Sequence, residues 1–326
     1  MPKSSTRIAG ILLAAALAAL PLAARAQEYP SKPLRLIVPV AAAGMTDIVA
    51  RIVARKLQDR LGQSVVVENK AGGGGNIGTE SVVRSAPDGY TLLYAYPGPI
   101  AVNPWLTKNL GYDPLKDLAP VSLLVSYPMI FAVHPSVPAT TIAEFIAAAK
   151  KSPQPLTYGS AGNATTSHLI MELFAREAGI QLTHVPYKGA APAVTAMVSG
   201  ETQFTFSSLT STLPMVKAGR LRVIAMSSLK RSPLMPSMPT VAEAGYPGFE
   251  AITWYGVFLP AGAAPAIVGK VNNEIVRVLN LPDFKAWLAE QGAEAAPTTP
   301  DEFATFIKAE IARYAPLVKK SGMKPD

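Results

Sequence analysis

The chain has no cysteine and only three histidines in 326 residues. The lack of cysteine excludes disulfide bonds, thiolate metal sites and cysteine nucleophiles together. His134, His168 and His184 are the only imidazole bases, and none has an evident acidic partner that would orient its ring. Carboxylates paired at metal-ligand spacing are also missing. The sequence therefore predicts no metal site, and it favours histidines that are structural or cap a helix.

Charged residues are scarce too, at 16% of the chain against 49% hydrophobic residues. The formal net charge is +8, but basic side chains such as Arg51, Arg55 and Lys56 are scattered at helical spacing instead of clustering with aromatic residues. This pattern is typical of a solvated surface and gives no reason to expect a nucleic acid partner. The length is sufficient for two domains with sizeable cores.

The one long apolar run lies at the start of the chain, where residues 1–26 have the features of a secretory signal peptide. Lys3 and Arg7 precede the apolar run Ile8–Leu22. Residues 24–26 then read Ala-Arg-Ala, a small-x-small cleavage site. The alternative is an uncleaved anchor, but the run is shorter than the roughly 20 residues that span a bilayer. We therefore expect cleavage before Gln27 and export of the mature chain.

Strand-like apolar segments alternate with helical segments along the remaining chain, which predicts sheets covered by helices. The expected fold class is α/β, with two domains that are each a mostly parallel sheet flanked by helices. Two interdomain crossovers, near Tyr127 and Glu250, assign residues 27–126 plus 251–326 to domain 1 and residues 127–250 to domain 2. Double linkage of this kind permits a hinge, and the cleft between such domains can close on a small anion.

The loop after the first predicted strand is the leading candidate for a binding site. It joins the apolar run Leu34–Val38 to a helix predicted to begin near Thr46, so free backbone N–H groups gather at the positive end of a helix dipole. Such a place suits a carboxylate. The candidate residues are Val40, Ala41, Ala42, Ala43, Gly44, Met45, Thr46 and Asp47. Asp47 either caps the helix or accepts a hydrogen bond from a ligand or a bridging water.

A second loop of this kind follows the predicted strand Leu156–Gly159 and precedes another helix. Its residues are Ser160, Ala161, Gly162, Asn163, Ala164 and Thr165. The loop concentrates hydroxyl and amide donors without adding net charge. It is either an elaborate helix cap or the second half of an anion site.

Two enzyme-like motifs are weak matches. Gly73–Gly78 fits the G-x-G-x-x-G spacing of dinucleotide-binding loops, but no acid stands at residues 94–96, where a ribose would be bound, and export removes the nucleotide pool. Gly159–Gly162 resembles part of a serine-hydrolase elbow, but Tyr158 replaces its first glycine. The first motif is interpreted as a tight turn that lines the cleft.

Six segments of the chain carry a pattern that is more specific than any of these motifs. They are Tyr29–Pro39, Ala71–Gly78, Pro87–Leu93, Tyr158–Ser167, His184–Gly189 and Pro239–Gly245. In this order, and over essentially the whole mature chain, they resemble the Bug-type solute receptors of tripartite tricarboxylate transporters. The resemblance implies a periplasmic Venus flytrap receptor without catalysis or cofactor. The implied partners are a small carboxylate ligand and the large and small membrane subunits of the transporter, and a monomer is expected.

The resemblance also implies which residues meet the ligand. In this family the carboxylate lies on the first loop, here Val40–Asp47, often with ordered waters, and the second domain contributes the loop Ser160–Thr165. The other end of the ligand is typically met by residues that correspond to Tyr96 and Ser207.

Two departures from the family pattern bear on the ligand's identity. The first loop of the family usually carries an aromatic residue and three glycines, where this chain has Val40, Ala43 and Met45. Many members have Asp-Asn where this chain has Ser207-Ser208. Loss of that acid disfavours a ligand amine, and Met45 with Tyr96 favours a flatter or more apolar ligand. The expected ligand is an aromatic monocarboxylate or dicarboxylate.

Two competing functions remain open at the level of sequence. A secreted hydrolase or lyase acting on an organic acid would need a base or nucleophile with a perturbed pKa, and Asp47 is the only candidate in the cleft loops. An orphan receptor that signals through a sensor partner would have the same sequence features as a transporter receptor.

Overall fold

The computed structural model describes residues 29–232 and 235–323. The predicted signal peptide, residues 1–26, lies outside these ranges. Within them, no helix combines the length and the apolar character needed to cross a membrane. From Lys32 onward the described chain forms one compact unit.

Strands and helices alternate along this unit. The strands are β1 (Leu34–Val38), β2 (Val65–Asn69), β3 (Thr91–Ala95), β4 (Leu118–Pro128), β5 (Ile130–Val133), β6 (Leu156–Ser160), β7 (Leu182–Pro186), β8 (Phe204–Ser207), β9 (Arg222–Met226), β10 (Ile252–Pro260) and β11 (Glu294–Ala295). The helices are α1 (Met45–Leu61), α2 (Asn76–Val83), α3 (Asn103–Leu106), α4 (Ile142–Lys151), α5 (Thr166–Ala178), α6 (Ala190–Ser199), α7 (Leu209–Lys217), α8 (Pro265–Leu279), α9 (Pro282–Glu290) and α10 (Pro300–Ser321).

The strands form two sheets, in the orders β11-β4-β10-β3-β1-β2 and β7-β6-β8-β5-β9. We call the six-stranded sheet with α1–α3 and α8–α10 lobe 1, and the five-stranded sheet with α4–α7 lobe 2. β1 runs parallel to β2 and β3, and β6 runs parallel to β7 and β8. The other pairs are antiparallel. Both sheets are therefore mixed. Most strands of each sheet run in one direction, as predicted, while β10 and β11 in lobe 1 and β5 in lobe 2 run against them.

The two crossovers between the lobes lie side by side. β4 ends at Pro128 and β5 begins at Ile130, so one residue, Met129, separates strands of different sheets. Ser227, which follows β9 where the chain leaves lobe 2, is bonded to this crossover. Its Oγ accepts from the Met129 N–H and its N–H donates to the Met129 carbonyl, both at 2.8 Å. On the return path Thr253 of β10 pairs with Tyr127 of β4. Two adjacent extended segments of this kind are a common hinge arrangement.

An aromatic cluster fixes the interior of lobe 2. Phe131 of β5 packs against Phe145, Phe174, Phe204 and Phe206, with ring centroids 4.8 to 5.8 Å apart. Three of these four pairs are edge-to-face, an arrangement that contributes about 0.5–1.5 kcal/mol per pair beyond the burial of area. The lobe therefore presents its loops from a rigid base.

Helix α10 packs against both lobes. Near its start, Phe303 is buried in the core of lobe 1. Near its end, Tyr314 and Val318 share an apolar cluster with Leu169 and Leu173 of α5 in lobe 2. The last helix thus joins the lobes at an edge that the crossover strands do not cover.

Candidate functional site

The first candidate loop leaves β1 and enters α1 through an unusual backbone path. Gly44, the residue before the helix, has φ +107°, and Ala43 has φ +65°. A left-handed alanine costs about 1 kcal/mol, so the surrounding contacts must hold it in place. The Ala43 N–H donates to Asp47 Oδ2 at 3.0 Å, which is one such contact.

Asp47 is a buried carboxylate with all of its observed bonds inside lobe 1. Besides the bond from Ala43, Oδ2 accepts from Arg51 Nε and Oδ1 accepts from Asn69 Nδ2, each at 2.9 Å. Burial alone would raise the pKa of Asp47, but the hydrogen bonds from Arg51, Asn69 and the Ala43 N–H outweigh it, and the pKa lies below its ordinary value. Asp47 therefore holds the loop as an ionised side chain. Its contact with a ligand stays a prediction.

The second candidate loop is also held by its own polar groups. Gly162 has φ +133° and Ala164 has φ +57°. Ser160 Oγ accepts from the Gly162 N–H at 3.1 Å, and Thr165 Oγ1 donates to the Gly162 carbonyl at 2.7 Å. These hydroxyls fix the curvature of the loop, so its exposed backbone groups, rather than Ser160 itself, face the cleft.

Two stacked imidazoles support this loop from below. The rings of His168 and His184 lie 3.8 Å apart. His168 Nδ1 accepts from the Ala164 N–H at 3.1 Å, and His184 Nε2 lies 2.6 Å from Ser160 Oγ. Burial lowers the pKa of His184 to about 4, and burial together with the neighbouring His184 lowers that of His168 to about 3. Both rings are therefore neutral near pH 7. Because Ser160 has no exposed surface, its pairing with His184 is structural.

The two lobes are in contact on both sides of the cleft. The Ala41 N–H donates to the Lys188 carbonyl at 2.9 Å, and Thr210 Oγ1 donates to Met45 Sδ at 3.1 Å. Gly74 approaches Asn163 so closely that a Cβ built on Gly74 would lie 2.4 Å from the Asn163 carbonyl oxygen. The structure is therefore that of a closed clamp.

Closure leaves a small chamber, the inner chamber, of about 50 Å³ between the lobes. Its eighteen lining residues are Val40, Met45, Thr46, Tyr96, Tyr127, Met129, Ala161, Thr165, Thr166, Ser167, Ala190, Ala193, Thr205, Phe206, Ser207, Ser208, Thr253 and Tyr255. None of them is charged. The starts of four helices, α1, α5, α6 and α7, contribute to this lining, and so do eleven hydroxyl groups. At about 10–15 Å³ per water, the chamber accommodates a carboxylate with one or two waters.

A larger outer chamber, of about 630 Å³, shares Val40, Tyr96 and Ala161 with the inner one. Its walls include the glycine-rich turn Gly72–Gly75. Lys188 is the one lysine or arginine that lines either chamber among the described residues. The two chambers together can hold a ligand longer than a single carboxylate group.

The structure brings together part of the set predicted from sequence. The inner chamber is lined by Val40, Met45, Thr46, Tyr96, Ala161, Thr165 and Ser207, and the outer chamber adds Gly162, Asn163 and Ala164. Ala41, Ala42, Ala43, Gly44, Asp47 and Ser160 line neither chamber. Among the described residues, the Ser207 hydroxyl is buried without a hydrogen-bond partner. As binding residues, all of these positions remain predictions.

Sequence reasoning did not select the tyrosines of the crossover strands. Tyr127 is the last residue but one of β4 and pairs with Thr253 of β10. Tyr255 lies two residues after Thr253 on the same strand. The Tyr255 hydroxyl lies 2.9 Å from Thr46 Oγ1 and forms a short hydrogen bond with the Tyr127 hydroxyl. The signal in the sequence was the position of both tyrosines near the predicted crossovers, but their pairing depends on a register that only the fold reveals.

Two α/β lobes that are joined by paired crossover strands and close over a chamber of hydroxyls and helix starts define a two-lobed solute receptor. A family model described as "Tripartite tricarboxylate transporter family receptor" matches residues 49–323. The chain belongs to this family of solute-binding receptors, which are not enzymes.

Individual relatives agree with this assignment. The chain is 37% identical to Protein BugT of Bordetella pertussis over 318 residues, which cover 97% of each chain. The structure of R. palustris Rpa4515 with adipate is 35% identical, with a TM-score of 0.89 over 92% of this chain and 100% of that one. MatC (Rpa3494) from Rhodopseudomonas palustris with bound malate is 31% identical, with a TM-score of 0.85 over 89% of this chain and 100% of that one. The expected fold class and Bug-type resemblance are thereby confirmed.

Proposed function

We propose that this protein is a periplasmic receptor that captures a small organic acid between its lobes and delivers it to the membrane subunits of a tripartite transporter. The observation that carries the proposal is the inner chamber. It lies between the lobes, has no charged side chain in its lining, and collects the starts of four helices together with hydroxyl donors. Such a site favours an anion over a cation or a neutral apolar molecule.

The electrostatic argument rests on the helix ends. The first N–H groups of a helix lack partners within the helix, and its dipole adds about half a positive charge at that end. An anion here is stabilised without a neighbouring cation. It is also released more easily than from a buried ion pair, because loss of one partner of such a pair leaves the other charge buried and uncompensated. A transport receptor has to release its ligand, so this arrangement suits the role.

The two chambers suggest how such a ligand is oriented. We place one carboxylate in the inner chamber and the rest of the molecule past Val40 and Tyr96 into the outer chamber, where Lys188 can approach a second acid group. The Tyr96 ring offers a flat contact surface, and the Met45 thioether offers a polarizable one. An aromatic monocarboxylate or dicarboxylate fits this description, and the adipate and malate bound to two relatives support an organic acid as the ligand class.

Further parts of the proposal rest on the family and the fold. We propose cleavage of residues 1–26, a monomeric receptor, and domains formed by residues 27–126 plus 251–326 and by residues 127–250. Opening and closure then occur about the crossovers near Met129 and Ala251. Delivery to a transporter is favoured over signalling to a sensor partner because the matching family is that of transporter receptors.

A ligand screen tests the proposal directly. The mature chain from Gln27 is screened by thermal shift against adipate, malate, benzoate, phthalate and terephthalate, followed by calorimetry of each hit and by chromatography to detect turnover. We expect at least one acid to raise the melting temperature, to bind with 1:1 stoichiometry and to be recovered unchanged. A panel in which no acid binds, or in which an acid is converted to a product, would contradict the proposal.

A pair of variants tests whether the inner chamber is the binding site. Ser207→Ala removes a buried hydroxyl that lines the inner chamber and has no partner among the described residues. The control, Thr202→Val, removes a hydroxyl of lobe 2 that is also buried without a partner in the described chain but does not line the chamber. We expect Ser207→Ala to weaken binding by about 10- to 150-fold, the value of one hydrogen bond to a charged group, and Thr202→Val to leave affinity unchanged. Equal affinities in both variants would place the site elsewhere.

A further inference from the structure

Three hydroxyl groups form a continuous chain on the wall of the inner chamber. Tyr255 lies in the middle, with Thr46 Oγ1 at 2.9 Å on one side and the Tyr127 hydroxyl in a short hydrogen bond on the other. The three residues come from different parts of the frame: Thr46 from the first turn of α1, and Tyr127 and Tyr255 from the two crossover strands. This hydroxyl chain therefore links the first candidate loop to both crossover strands between the lobes.

All three groups keep their protons at neutral pH. Burial raises the pKa of Tyr255 to about 12 and that of Tyr127 well above its ordinary value. The ionisable neighbours of this cluster are Tyr94, Tyr96 and Asp47, and Asp47 is already ionised. No group around the chain is poised to remove one of its protons, so the chain acts as a set of neutral hydrogen-bond donors.

The number of protons in the chain decides what it can bind. Three hydroxyls carry three protons, and the two bonds of the hydroxyl chain use two of them. This holds for each possible set of donors, since Tyr255 has one proton and can donate in only one of its two bonds. One O–H is left over in every arrangement, on Thr46, Tyr255 or Tyr127, all of which line the inner chamber. Other lining hydroxyls already donate to the protein: Thr205 to the Gly159 carbonyl and Tyr96 to the Gly74 carbonyl.

The chamber also offers Ser207, whose buried hydroxyl has no partner among the described residues. With the spare proton of the chain, this makes two O–H donors beside several helix N–H groups, and the lining contains no carboxylate to accept from a ligand. The balance is an excess of donors. A carboxylate brings only acceptors and can take all of these donors. An amide or a protonated acid brings fewer acceptors, so it leaves a donor of the chamber unpaired and must place its own N–H or O–H on a hydroxyl oxygen.

On this basis, and resting on the proposed function, we infer that the Thr46–Tyr255–Tyr127 hydroxyl chain is a specificity element that admits the ionised carboxylate of the ligand and rejects its neutral counterparts. The amide, the methyl ester and the protonated acid share the shape of the carboxylate closely enough to enter, but the amide and the protonated acid carry a donor, and the ester carries a methyl group in place of an acceptor. Tyr255 acts as the positioning residue of the chain, because it holds both end hydroxyls.

The first experiment uses the unmodified mature protein, so that it does not depend on the folding of any variant. The acid that binds best in the screen is compared by calorimetry with its primary amide, and its binding is also measured over the pH range that spans the pKa of the acid. We expect the amide to bind about 10- to 100-fold more weakly, the range given by one buried unpaired donor. We also expect affinity to follow the ionised fraction of the acid. An amide that binds within 3-fold of the acid would overturn the inference.

The second experiment uses Tyr127→Phe, Tyr255→Phe and the double variant, with Tyr94→Phe as the matched control. Tyr94 packs against Tyr255 with ring centroids 5.1 Å apart, and its buried hydroxyl has no partner among the described residues and does not line the inner chamber. We expect each chain variant to narrow the discrimination between acid and amide, the double variant to add little to Tyr255→Phe, and Tyr94→Phe to behave as the unmodified protein. Fully additive losses with unchanged discrimination would show a packing role only.

The two proposals fail in different ways. If no acid binds to the unmodified protein, the proposed function is wrong. If an acid binds but the amide and the tyrosine variants bind equally well, the proposed function stands and the hydroxyl chain is not its specificity element.

Discussion

Closure of the clamp depends on a glycine at position 74, and substitution by alanine should block it. In the closed structure a Cβ on Gly74 would lie 2.4 Å from the Asn163 carbonyl oxygen and 3.3 Å from Asn103 Nδ2. The oxygen is part of the backbone of lobe 2, so it cannot move aside as a flexible side chain would. The distance is about 1 Å shorter than an ordinary contact, so the lobes must stay apart by about that amount.

Two contributions make up the expected magnitude. Alanine at φ +61° costs about 1 kcal/mol in either state of the clamp, because this backbone conformation is left-handed. The contact with Asn163 costs a further 1–3 kcal/mol, but only in the closed state, as expected for overpacking of a well-fitted contact. Ligand binding should therefore weaken by about 5- to 150-fold, since the closed state binds the ligand.

Gly179 provides the control that separates these contributions. It also has φ +61°, but no atom lies within 4 Å of a Cβ built there. Gly179→Ala should lower the melting temperature as Gly74→Ala does and leave ligand affinity intact. The assays are calorimetry with the best acid from the screen and small-angle scattering with and without it. If both variants bind equally and contract equally on binding, Gly74 does not govern closure.

Three further predictions concern the groups around the chambers. Asp47→Ala should destabilise the fold by about 2–4 kcal/mol, measured by chemical denaturation, because three partly buried hydrogen bonds to the carboxylate are lost; an unchanged midpoint would contradict this. The free energy of unfolding should fall as the pH drops from 6.5 to 4, because His168 and His184 take up protons there only when unfolded; a double His→Gln variant that keeps the same slope would refute this reasoning. Lys188→Met should weaken dicarboxylates more than monocarboxylates of equal length, with Lys151→Met as the exposed control and calorimetry as the measurement.

Much of the fold follows from local patterns that survive in the structure. The loop before α1 and the loop before α5 were predicted because small or polar residues follow an apolar strand and precede an amphipathic helix, which is a local property. Residues 98–106 form two short helical turns, Gly98–Val102 and Asn103–Leu106, although each contains a proline. Pro99 and Pro104 fall within the first two residues of their turns, where a missing N–H costs little, so proline does not exclude helical structure there.

The polar interior of the site was harder to predict, because its partners are far apart in sequence. Tyr127 and Tyr255 meet through the antiparallel register of β4 and β10, and no local pattern specifies that register. His168 and His184 stack because a helix and the neighbouring strand place them together. The direction of the crossover strands, and with it the mixed character of both sheets, likewise follows from how the lobes are connected rather than from any single segment.

The position of α10 constrains how the molecule can open. Its last turns pack on α5 through Tyr314, Val318, Leu169 and Leu173, so a large separation at that edge would expose a cluster of apolar side chains to water. Opening about the crossovers near Met129 and Ala251 avoids that cost only if α5 stays packed on the end of α10. Spectroscopic labels placed on these two helices should therefore keep nearly the same separation with and without ligand.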